Sequence, residues 1–86
     1  MRFDRSLVKI LLRNFNEGEL HYTHHFDNSC SSFSGKDNRP LLRKYLRHLE
    51  ERGYISNHNL GHNIHKWSIT KDGIDTRQLL ENDVFF

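Results

Sequence analysis

The segment from Arg39 to Gly53 constrains the chain most. It opens with Pro40, the only proline, and closes with a glycine. Proline fits the first turn of a helix, where its missing N–H goes unused, and glycine is a common stop after the last turn. Between them Leu42, Tyr45, Leu46 and Leu49 recur at spacings of three and four. That period predicts a helix over 39–53 with one apolar face, and it turns Arg43, Lys44, Arg47 and Glu51 to the opposite face.

The remaining elements follow from weaker signals. Phe3, Leu7, Ile10 and Leu11 share a helical stripe that Phe15 extends, so a first helix is expected within 1–16, with its core over Asp4 to Asn14. Val8 and Leu12 lie beside that stripe. Glu19 to Phe26 alternates weakly and fits a very short strand followed by a helix capped at Thr23. Asn28 to Asn38 is polar and serine-rich, and reads as a helix end followed by a loop. Tyr54 to Ser56 and Ile64 to Thr70 read as two strands of a hairpin spanning 54–70, with a polar tip over 57–63. Thr70 is positioned to cap a last helix over 71–82, whose Asp72 and Asp75 suit an N-terminal end.

At 86 residues the chain makes one domain. A domain of this size buries roughly 60–65% of its unfolded surface, so its stability is modest. The single cysteine, Cys30, excludes an internal disulfide framework and any multi-cysteine zinc module. No apolar run is long enough to span a bilayer, and no secretory signal is visible. The expectation is therefore a cytoplasmic protein.

Two segments resemble a known family. The run Leu46-Arg47-His48-Leu49-Glu50-Glu51-Arg52-Gly53-Tyr54-Ile55 resembles a winged helix-turn-helix recognition helix entering its first wing strand. The run Trp67-Ser68-Ile69-Thr70-Lys71-Asp72-Gly73-Ile74 resembles the second wing strand and the start of the next helix. MarR-like and PadR-like regulators share both segments, and the resemblance covers residues 40–80. It implies an α+β fold, with three to four helices and a two- to three-stranded antiparallel wing.

Charge supports that resemblance independently. Residues 36–48 hold Lys36, Arg39, Arg43, Lys44 and Arg47 against Asp37 alone, a balance of +4 in a chain of net charge +2. The positive charge is thus focused on one helix. In a winged helix that face enters the major groove, where arginine pairs with guanine and lysine neutralises phosphate. Lys36, Asn38 and Arg39 stand at the end where base contacts concentrate. His58 and His62 in the wing tip, and Lys66 on its supporting strand, are positioned for minor-groove or phosphate contacts. The bland alternative is a solvated basic face on an ordinary helix.

The chain holds seven histidines. Two or three of them with Cys30 have the chemistry to bind zinc, but their spacing fits no common finger, so no metal is expected. Imidazoles titrate near pH 6.5, and DNA affinity is expected to rise below about that value. Cys30 with His24 or His25 as base lacks a third orienting group, and no catalytic motif is present, so neither enzyme nor cofactor is expected.

Val8, Leu12, Leu79, Leu80, Val84, Phe85 and Phe86 exceed what one small core needs. In MarR-like and PadR-like proteins the terminal helices make the dimer, so the resemblance places a homodimer contact there. The resulting expectation is a small sequence-specific transcriptional regulator, a repressor type that occupies an operator on double-stranded DNA. Such compact regulators look like those of phages and mobile elements. The rival is a winged-helix protein-interaction module, an adaptor or an inhibitor of a host protein, using the apolar tail with Tyr22, Tyr54 and Trp67.

Overall fold

The computed structural model describes residues 3–29, 33, 38–59, 61 and 64–82. Helix α1 (Arg5–Arg13) begins at Asp4, whose carboxylate accepts from the Ser6 N–H at 2.8 Å. The Asp4 N–H donates to the Tyr45 hydroxyl at 2.9 Å, which ties the start of the chain to the middle of the long helix. Strand β1 (His21–Tyr22) and helix α2 (Thr23–Ser29) follow, then helix α3 (Arg39–Glu51), strands β2 (Ile55–Asn59) and β3 (His65–Ile69), and helix α4 (Lys71–Asn82). Among the described residues the result is an α+β fold of four helices and one antiparallel sheet of order β1-β3-β2.

Helix α3 ends because Gly53 adopts a φ of +80°, which side-chain-bearing residues rarely adopt. That turn lets the Gly53 and Tyr54 N–H groups donate to the Glu50 and Leu49 carbonyls at 2.9 and 3.0 Å. Thr70 performs the expected capping of α4: its Oγ1 accepts from the Gly73 N–H at 3.1 Å and donates to the Gly53 carbonyl at 2.7 Å.

The core joins all the layers. Leu11, Leu12 and Phe15 from α1 and its exit meet Phe26 of α2, the apolar face of α3, and Ile55, Trp67 and Ile69 of the sheet. Phe33 is fully buried and meets Tyr45 edge-on at 5.5 Å between centroids.

Four expectations need correction. The first helix covers 5–13 rather than 1–16, and α3 covers 39–51, with Arg52 as its cap, rather than 39–53. Strand β2 runs on through Asn57, His58 and Asn59, which pair with Trp67, Lys66 and His65. Ladder bonds use backbone groups, so polar side chains there do not end the strand. Leu12 has no exposed surface. It fills the protomer's own core and offers nothing to a second copy.

Candidate nucleic-acid interface

Burial of Leu42, Tyr45, Leu46 and Leu49 fixes the rotation of α3 and leaves Arg39, Arg43, Lys44 and Arg47 exposed. Arg39, Arg43 and Arg47 recur every four residues and form one row along the helix. That row is one wall of a concavity of about 720 Å³. The other walls come from Tyr22, Thr23, His24 and Asp27 at the β1–α2 junction, and from Asn57, Ile64, His65 and Trp67 of the hairpin. Lys44 does not line it.

Hydrogen bonds hold the neutral walls. The Trp67 indole N–H donates to Thr23 Oγ1 at 2.9 Å, locking β3 to the start of α2. His65 Nδ1 donates to Asn57 Oδ1 at 3.0 Å across the hairpin. The His65 ring also stacks at 6.1 Å on that of Trp67.

The cationic row is not uniform. Arg39 Nε lies 3.4 Å from Asp27 Oδ2. Asp27 is mostly shielded, and its Oδ1 is buried without a hydrogen-bond partner. Arg43 and Arg47 form no ion pair among the described residues and stand as the two uncommitted charges of the groove.

Other expected contact residues lie elsewhere. His58 and Lys66 are cross-strand partners, and alternation along the strands turns them away from the face that carries Asn57 and Trp67. His58 and Lys66 therefore do not line the groove, although Lys66 meets its rim at Tyr22. His58 Nε2 bonds to Ser68 Oγ at 2.9 Å. Lys66 Nζ lies 4.6 Å above the Tyr22 ring, and His24 stacks parallel to that ring at 5.4 Å. Asn38 is half-buried at the start of α3. Lys36 and His62 lie outside the described residues, as do Val84, Phe85 and Phe86.

The remaining expected dimer residues divide by exposure. Val8 and Leu80 are partly buried against the core, whereas Leu79 is 71% exposed. Among the described residues no group of three or more His, Cys, Asp or Glu side chains is arranged to hold a metal ion. No helix there is long and apolar enough to cross a membrane.

Two histidines are shifted. Burial chiefly holds His21 below the ordinary imidazole value, helped by His25 and opposed by Glu19. His48 is lowered chiefly by burial, then by Arg52, and opposed by Glu51. The His48 ring stacks on Phe3 at 3.7 Å.

Sequence reasoning did not single out Asp27 and Asn57 as part of this site. The β3 alternation would have placed His65 beside Trp67, but nothing in the sequence signals that Asp27 reaches Arg39 from another helix. No protein-family model matches the chain, and comparisons with curated proteins and with solved structures find no match.

Proposed function

We propose that this chain is a winged-helix DNA-binding protein, with α3 as the recognition helix and β2–β3 as the wing. The observation that carries the reading is the row Arg39, Arg43 and Arg47 facing a concavity whose far wall is the hairpin. The element order, with a helix before the hairpin and β1 paired to β3, supports the reading. Arg43 and Arg47 supply bidentate donors for guanine edges or phosphate, and Lys44 adds a charge beside them.

In this reading the protein is a cytoplasmic transcriptional regulator that works by occupying its site as a homodimer. One module covers few base pairs, and two copies related by symmetry read a palindrome. Leu79, exposed on α4, is the residue proposed at the contact, with the partly buried Val8 and Leu80 contributing what surface they leave.

Fluorescence anisotropy with a labelled generic duplex at two salt concentrations tests the function. Neutralising about six phosphates makes affinity fall roughly 1,000-fold between about 50 and 200 mM salt. Absence of binding at the lower concentration overturns the reading. A second reading, a protein-interaction module, draws on Ile64 and Tyr22, which are 44% and 43% exposed at the same groove. Charge reversal at Arg43 and Arg47 separates the two. It abolishes duplex binding by a DNA-binding protein while the domain stays folded. An adaptor instead loses its partner on substitution of Ile64.

A further inference from the structure

The connector after α1 is held by side chains in addition to backbone turns, through three consecutive residues. The Asn14 carbonyl accepts from His25 Nε2 at 3.1 Å. The Phe15 carbonyl accepts from Arg77 at 2.7 Å. The Asn16 N–H donates to His21 Nε2 at 3.1 Å. The two imidazoles lie against each other, with centroids 4.4 Å apart and planes 17° from parallel. Phe15 and Phe26 pack edge-on against His21, which is only 7% exposed.

The partners fix the protons. A backbone N–H only donates, so His21 Nε2 carries a lone pair and the ring is neutral. A carbonyl only accepts, so His25 Nε2 carries a hydrogen. Protonating His21 turns its acceptor into a donor facing the Asn16 N–H. It also buries a cation between phenyl rings and against a second imidazole, which is costly without a paired anion.

We propose that His21 and His25 form an acid-released clasp on residues 14–16, and that its opening loosens the Tyr22–His24 wall of the groove. The link to the groove is covalent and short. His21 precedes Tyr22 in β1, and Thr23, next in the chain, receives the Trp67 indole N–H. This inference concerns the fold and stands whether or not the groove binds DNA.

The charged surroundings are few. Among the described residues of α2, the group that acts on the charge of His21 is His25, which disfavours it. Glu19 in the connector favours a charge on His21. Arg77 of α4 reaches the Phe15 carbonyl and is paired with Glu17 at 3.1 Å. From β3 the strand partner is Trp67, which does not titrate. The shift of His21 below the ordinary imidazole value agrees with a ring built to stay neutral.

The test is an NMR titration of the full chain from about pH 7.5 to about pH 5, across the imidazole range. It reads the His21 ring and the exchange protection of the Asn16 amide, corrected for the intrinsic pH dependence of exchange. His21 is expected to titrate below the ordinary imidazole value. Asn16 is expected to lose at least about tenfold of its protection in the same step, with the Trp67 indole N–H following, while the Leu46 amide of α3 keeps its own. His25→Phe removes the imidazole that disfavours a charge on His21, together with the Asn14 bond, so the His21 step moves to higher pH while the Asn16 amide remains the readout. Should that variant fail to fold, the wild-type titration decides alone. The proposal is overturned if Asn16 stays protected while His21 titrates, or if Leu46 loses protection in the same step.

Discussion

Gly73, in the first turn of α4, lies directly against the backbone carbonyl of Tyr54, with no room for a Cβ between them. The same carbonyl accepts from the Thr70 N–H at 3.0 Å. The close approach fastens α4 onto the turn that links α3 to the sheet. Ile69 closes the other side of the gap. Alanine at 73 forces backbone to move, and overpacking of this kind costs about 1–3 kcal/mol. Urea denaturation of Gly73→Ala is expected to show that loss. Thr70→Val removes both bonds of the cap hydroxyl and is expected to cost about 1 kcal/mol, with Thr70→Ser close to wild type.

Arg43 and Arg47 face the groove, and Lys44 does not. Replacing either arginine with glutamine should weaken duplex binding and reduce the salt slope by about 1. Lys44→Gln should weaken binding less. Anisotropy at three salt concentrations orders the variants, and equal losses at all three positions would remove the groove from the binding face.

Among the described residues Asp27 is the one carboxylate lining the groove, and it holds Arg39. Asp27→Asn removes a charge that repels phosphate and frees the arginine. Duplex affinity is expected to rise about three- to tenfold at low salt, and less at high salt as screening grows. The Arg39 side chain is 59% exposed, so the lost ion pair should change stability by less than about 1 kcal/mol. A fall in affinity would show that the pair positions Arg39 for binding.

Stability should depend on pH with a defined sign. His21 and His48 are both held below the ordinary imidazole value in the folded state. The unfolded chain therefore binds protons first as pH falls. Their contribution is full above about pH 6.5 and is lost as pH falls from there through the lowered folded values. Urea midpoints at about pH 7.5 and 5.5 should fall in that order, and His48→Gln should flatten part of the slope. Equal midpoints would contradict the shifts.

Leu79 is the most exposed large apolar side chain among the described residues. If it lies at a contact between two copies, Leu79→Asp halves the mass measured by light scattering and leaves the thermal midpoint of the monomer nearly unchanged. A wild-type monomer at about 100 µM, where a micromolar interface would be filled, removes the dimer from the functional reading.

Local signals in the sequence determined much of this protein. Pro40, Gly53 and the leucine spacing define α3 and the outward direction of Arg43, Lys44 and Arg47, because helical period and capping act within a few residues. Thr70 and the alternation around Trp67 likewise define the cap of α4 and the buried face of β3. Only tertiary structure decided that β2 extends through His58 and turns it away from the groove, because that depends on its pairing with β3. It also decided that Leu12 is core, that Asp27 meets Arg39, and that two histidines clasp the end of α1. Each of these contacts joins separate elements. Its partners are chosen by how the elements pack, and no periodicity in the chain encodes that choice.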